Sequence, residues 1–283
     1  MAKLNERAML VHLQVSSWTG AKKDRKVTQE TCSRYEADGD AGSWWTYFIP
    51  PEDRKRLVTA ANRLRNEAKR DTFPWLEGGL RIIPSAMYLD YAQRMRKAMQ
   101  SYNDFIDKWL DERYPEIIKN MPNRLKGLLD ARPMPTAKEL RVKFGAYHNM
   151  FPIPDMSDFR VQMDAEIQDE VREEMEQSFQ SSMNKAMMCV WQQLHDTVEK
   201  VAETLKDPDK RFHDSMIGNL IDLCIKLPKM NFTEDENLKA IRKEVIDNLC
   251  RLKPESLRED KSIRKEAAKT AKELIGKMSA YMK

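Results

Sequence analysis

Few side chains in this sequence are spaced as reactive groups usually are. Trp191 and His195 stand four residues apart, which on a helix places them on one face, where they could bind a planar ring or a metal. The more ordinary use of such a pair is a helix interface. His12 has neither a nucleophile pattern nor a paired acid beside it, so it reads as a surface or sheet-edge histidine and not as a general base. Asp38 and Asp40 lie in a Gly-containing loop, but the remainder of an EF-hand calcium loop is missing. Gly78-Gly79 lacks the Lys and Ser or Thr that follow in a phosphate-binding loop. The cysteines Cys32, Cys189, Cys224 and Cys250 are far apart in sequence with no C-x-x-C pair, which implies free thiols and neither a disulfide framework nor a structural zinc. The expectation is a protein that is not an enzyme and carries no cofactor or metal.

Two sets of residues suit binding better than catalysis. The first combines the run Lys22, Lys23, Arg25 and Lys26, the adjacent Trp44 and Trp45, and a basic helix from about residue 52 to 70 carrying Arg54, Lys55, Arg56, Arg63, Arg65, Lys69 and Arg70. Aromatic rings beside Lys and Arg are how single-stranded nucleic acid is commonly held. Against this, the seven helix cations spread around the whole arc opposite the apolar seam of Leu57, Ala61, Leu64 and Ala68, as a solvated face would. Trp18, Trp44, Trp45 and Trp75 also fit a core beneath a small sheet. The net charge of +4 is too small to demand a polyanionic partner, so a nucleic-acid reading must rest on clustering. The second set is Met183, Met187, Trp191 and His195, an adaptable surface for docking a protein if it is not simply core filling.

These residues depend on long helices. From Asp164 to Asp207 apolar residues recur every three or four positions, at Ile167, Val171, Met175, Phe179, Met183, Met187, Val190, Leu194, Val198, Val201 and Leu205, with no Pro or Gly. One unbroken helix there would be roughly 65 Å long, too long to hide within a ball-shaped chain, so another helix must cover its stripe. The residue 85–113 segment, with Met87, Tyr91, Met95, Met99, Tyr102, Ile106 and Trp109, is the natural antiparallel partner. Short strands are expected at 9–16, 80–83 and 159–163, the first with a single buried face. Helix-start signatures at Thr136/Glu139, Thr233/Glu236 and Ser256/Glu259 mark later helices, and Pro228 should stop one at Leu227. No segment approaches the roughly 18 consecutive apolar residues of a membrane span, and a cytoplasmic protein is expected.

Several short motifs resemble one family. Asn5-Glu6-Arg7 before Trp18-Thr19-Gly20, Thr72-Phe73-Pro74-Trp75 with Gly79 and Pro84, Phe151-Pro152-Ile153-Pro154-Asp155 with Asp158-Phe159-Arg160-Val161, and Asp207-Pro208-Asp209 with Phe212 and Asn231-Phe232-Thr233 are similar to an uncharacterised phage and prophage family, the domain of unknown function "thirty-one fifty". The resemblance implies a bacteriophage or prophage protein in the bacterial host cytoplasm. Members are often encoded near MoxR-like AAA+ ATPases, which implies such an ATPase as a partner.

Together these readings predict a mainly α (α+β) fold: a long antiparallel helical hairpin, a small three-stranded sheet at its base and a C-terminal helical bundle. The expected divisions are residues 1–163, 164–207 and 208–283. The leading functional expectation is a non-enzymatic adaptor that docks through the helical hairpin on an AAA+ ATPase or on another copy of itself. The alternative is a single-stranded or non-specific nucleic-acid-binding protein, and a virion structural component is the third.

Overall fold

A computed structural model describes residues 4–129, 134–153, 165–207 and 212–282. The strand expected at 159–163 lies outside them. In chain order the elements are α1 (Leu4–Arg7), β1 (Ala8–Val15), β2 (Ala21–Asp24), α2 (Arg25–Arg34), β3 (Trp44–Tyr47), α3 (Pro51–Lys69), β4 (Phe73–Pro74), β5 (Leu80–Pro84), α4 (Tyr88–Lys108), α5 (Tyr114–Leu125), α6 (Ala137–Arg141), β6 (Ala146–Pro152), α7 (Ala165–Lys206), α8 (Asp214–Met230), α9 (Glu236–Val245), α10 (Pro254–Glu259) and α11 (Lys261–Tyr281). A π turn at Trp109–Arg113 follows α4, and another at Ile246–Cys250 follows α9. The fold is mainly α with a small antiparallel sheet and a C-terminal group of helices, as the periodicities imply. The chain forms two compact units, one of Met1–His12, Asp71–Asp90 and Asn149–Lys283, the other of Leu13–Arg70 and Tyr91–His148.

In the first unit, β1 pairs antiparallel with β5 from Ala8↔Pro84 to His12↔Leu80, and β4 pairs with β5 through Phe73↔Ile82. The sheet has four strands in the order β4-β5-β1-β6. Its fourth strand, β6, is formed by a segment for which no strand was expected. Leu10 and Val11 point to opposite faces yet are both buried, so the expected single buried face of β1 gives way to a strand covered on both sides.

Helix α7 runs unbroken for 42 residues. Among the described side chains its stripe is fully buried only in the C-terminal half, at Ala186, Val190, Leu194, Val198 and Val201. The cover is α11, which lies antiparallel: Trp191 stacks on Tyr281 at 5.6 Å near one end, and Arg264 meets the carbonyls of Thr204 and Leu205 near the other. Arg264, Ala267, Ala271, Leu274 and Met278 give α11 the spacing and small side chains that fit this seam. The hairpin partner is therefore the last helix and not the 85–113 segment. That segment spends its own aromatic stripe in the second unit, where Trp109 packs on Tyr114 and Phe144 and Tyr91 on His148.

Local signals also met competition. The Thr136/Glu139 capping box forms as expected. Helix α9 instead starts from Asp235, whose carboxylate accepts from the Asn237 and Leu238 N–H groups, while the side chain of Asn231 bonds the Asp235 backbone on both sides. Asp260 caps α11 and leaves Ser256 inside α10. Aspartate has replaced the expected Thr or Ser because its carboxylate reaches two N–H groups in each case. Helix α8 also runs past Pro228 to Met230. Proline lacks the N–H that would bond the Cys224 carbonyl, and Arg242 Nε donates to that carbonyl at 2.6 Å instead.

In the second unit, the α3 seam of Leu57, Ala61, Leu64 and Ala68 is buried as its spacing implies, together with Asp53. Asp53 is wholly buried, and its carboxylate accepts from Trp109 Nε1 at 3.2 Å and from Arg113 Nη2 at 3.1 Å. Asp53→Ala would leave the indole N–H unpaired, and a loss of about 2–4 kcal/mol is expected in urea denaturation, with Asp53→Asn milder. His148, whose Nε2 lies 2.9 Å from the Tyr91 hydroxyl, is held by burial below its ordinary value of 6.5. The neutral ring's contribution is complete above pH 6.5 and declines as pH falls toward the lower folded value, because the unfolded chain then takes up the proton first. Thermal unfolding followed from about pH 7 to about pH 5.5 should show a shallower decline for His148→Gln than for the parent protein.

Candidate nucleic-acid interface

The aromatic and basic residues meet on a two-stranded ribbon in the second unit. Gly20 makes its entry turn: φ is +62°, and a Cβ there would stand 2.4 Å from Cγ1 of Ile49, so no other residue fits unstrained. The Phe48 N–H donates to the Gly20 carbonyl at 2.7 Å. From there β2 pairs antiparallel with β3 in the register Ala21↔Tyr47, Lys22↔Thr46, Lys23↔Trp45 and Asp24↔Trp44. Lys22 and Lys23 are strand residues because β3 supplies their backbone partners.

Alternation sets Lys23, Trp45 and Tyr47 on one face and Lys22, Asp24, Trp44 and Thr46 on the other. Asp24 joins the ribbon to α2. Its Oδ1 accepts from the Val27 N–H at 3.0 Å, and Oδ2 accepts from the buried Thr46 hydroxyl at 3.4 Å. The Thr28 hydroxyl donates to the Asp24 carbonyl and accepts from the Trp44 N–H at 2.8 Å. Helix and ribbon thus hold each other while the rings stay outside. Trp44, Trp45 and Tyr47 are 44%, 49% and 40% exposed, an uncommon concentration of wet aromatic surface.

Cations surround these rings. The Arg54 guanidinium lies 3.8 Å from the centre of the Tyr47 ring. Arg124 of α5 donates to the carbonyls of Tyr47 at 2.6 Å and Phe48 at 2.9 Å, fixing the end of the ribbon. Lys23, Arg25 and Lys26 are exposed and Lys22 is half-buried. The basic run borders an open cleft of about 880 Å³ whose far side is Gly127–Leu129. Glu30, 3.9 Å from Lys26 Nζ, is an acid within it.

The other basic residues of α3 are placed differently. Lys55, Arg56 and Arg63 line a groove of about 550 Å³ between α3 and α4. Arg65 donates to the Val15 carbonyl at 3.1 Å, Arg70 sits 3.8 Å from Glu67, and Lys69 is exposed near the helix end. Trp18 and Trp75 part company with Trp44 and Trp45: Trp18 meets Tyr114 edge-on at 6.2 Å, and the buried Trp75 meets Phe179 at 5.1 Å. Tyr47 and Arg124 were not among the site residues expected from the sequence. The two-residue step from Trp45 to Tyr47 was the available signal, since a strand puts both rings on one face.

The residues considered for protein docking belong largely to the α7–α11 seam of the first unit. Met187 and Trp191 are buried, and Trp191 Nε1 donates to Asp235 Oδ2 at 2.9 Å. Met183 and His195 are half-buried. His195, Asp196 and Glu199 offer three ligand atoms within 4.8 Å of one another, one short of the set a structural zinc takes.

No family model, curated protein or solved structure matches the chain, so the resemblance to the phage family rests on its quoted motifs alone. Among the described residues no helix is long and apolar enough to cross a membrane. Because the ribbon depends on the Gly20 turn, Gly20→Ala should lower stability by roughly 2 kcal/mol or more in thermal or urea unfolding.

Proposed function

We propose that the protein binds single-stranded nucleic acid along the α2–β2–β3 face. One observation carries this reading: Trp45 and Tyr47 are exposed on the ribbon face that bears Lys23, with Trp44 exposed on the opposite face and the exposed Arg25 and Lys26 following the ribbon. Bases stack on such rings for about 1–3 kcal/mol each, whatever their identity, while cations take the phosphates. Nothing in the arrangement reads base edges, so weak sequence preference follows.

A second reading, a protein adaptor with an AAA+ ATPase as the partner implied by the resemblance, draws support from the N-terminal half of α7. There Met175 is 40% exposed among the exposed Glu173, Glu174 and Glu176. Affinity purification from host cells with nuclease treatment separates the two: association that survives nuclease favours the adaptor.

The direct test is fluorescence anisotropy with a labelled oligo-dT. Trp44→Ala with Trp45→Ala should weaken binding by at least about tenfold while leaving the melting temperature within a few degrees, since both rings are already half in water. Lys23→Ala with Lys26→Ala should weaken binding and flatten its salt dependence by roughly 0.7 in the log–log slope per lost phosphate contact. Absence of binding at low salt, or binding indifferent to salt and to the paired tryptophan substitutions, would refute the reading.

A further inference from the structure

The fold splits the pair Trp191 and His195, which stand one turn apart on α7. Trp191 is spent on the helical seam, where it donates to Asp235 Oδ2 and stacks on Tyr281. His195 is left without an equivalent use. Its side chain is only 15% exposed, and its Nδ1 is buried with no hydrogen-bond partner among the described residues. Buried polar atoms are nearly always satisfied, so an orphan of this kind points to a water or an ion.

Two carboxylates stand close to the ring. Glu199 follows His195 by one helical turn and shares its face. Asp196 is the next residue in the chain, and Gln192 Nε2, one turn earlier, donates to its Oδ1 and holds it in place. Asp196 Oδ1 lies 3.6 Å from His195 Nδ1, too far for a hydrogen bond. Two ligands that each lie roughly 2.1 Å from one ion at a tetrahedral angle stand about 3.4 Å apart, close to that distance. One ligand atom from each of His195, Asp196 and Glu199 lies within 4.8 Å of the other two, the only such group of three among the described residues. Glu199 is exposed, so its carboxylate can swing inward without disturbing the packed seam.

We propose that His195, Asp196 and Glu199 bind a divalent transition-metal ion of the zinc class, although the sequence alone implies no metal. One imidazole and two carboxylates suit such an ion better than calcium, which takes six to eight oxygen ligands. Three protein ligands leave the fourth position of a tetrahedral ion to water or to an incoming ligand, unlike the closed set of a structural zinc. Gln192 is a positioning residue that orients Asp196 from outside the ligand set. The ion ties His195 to Glu199 across one turn of α7, so its binding stabilises the folded chain.

The test uses the full chain, freed of metal by chelation, and zinc chloride alone. Calorimetry should show one equivalent bound, and the melting temperature should rise with zinc concentration. His195→Ala and Glu199→Ala should each weaken binding at least about tenfold, and Gln192→Ala about tenfold. Cobalt(II) in place of zinc should give visible d–d absorption that His195→Ala removes. Because Glu199 is exposed, Glu199→Ala keeps the test decisive if His195→Ala fails to fold. Zinc that binds the parent protein and both ligand variants alike, or a cobalt complex with the near-ultraviolet charge-transfer band of thiolate ligands, would overturn the proposal. No saturable binding would also overturn it, and would leave a water or the Asp196 carboxylate as the partner of the ring.

Discussion

A helix of 42 residues, α7, presents an apolar stripe that water will not tolerate over its whole length, and the fold of the first unit follows from how that stripe is covered. The antiparallel docking of α11 closes the C-terminal half. Small residues at Ala267 and Ala271 bring the two backbones close, and larger ones at Leu274 and Met278 fill the remaining length. Burying Arg264 at the end of this seam is tolerable because its guanidinium meets the last carbonyls of α7, which lack intrahelical donors and carry the negative end of the helix dipole. With these charges matched, α8 and β4 complete the packing around α7.

That use of arginine recurs. Arg242 serves the carbonyl that Pro228 leaves open, Arg124 the last carbonyls of β3, Arg65 the end of β1, Arg81 the Thr72 carbonyl and Arg141 the Phe144 carbonyl. Each places a fork of donors where a strand or helix runs out of partners. Much of the basic composition is therefore structural, which is why counting cations along α3 says little about a ligand. The lysines around the ribbon stand differently, because Lys23 and Lys26 are exposed beside exposed rings.

The ribbon is made by residues distant in sequence. Trp44 and Trp45 reach Lys22 and Lys23 only through strand pairing across α2, and the Thr28 hydroxyl bonded to the Trp44 backbone locks that pairing. There rigid elements hold the exposed rings, while backbone hydrogen bonds satisfied nearby keep the elements from shifting.

What could be read directly from the residues was local. The three- and four-residue steps of α7, the seam of α3, the strands at β1 and β5 and the capping box at Thr136 follow from interactions within a few positions, and they stand much as their spacing implies. Choosing among partners was not local. Two long apolar stripes, in 85–113 and in α11, were chemically acceptable covers for α7, and nothing in their periodicity distinguishes them. Strand pairing of a polar run with aromatic residues and the split of four tryptophans into packed and exposed pairs likewise had no local signature. The sequence by itself determined which segments are helices and which faces they must bury, because those forces act along the chain at fixed spacing. Only the tertiary structure decided which faces meet, because that depends on how all the stripes share a limited volume at once.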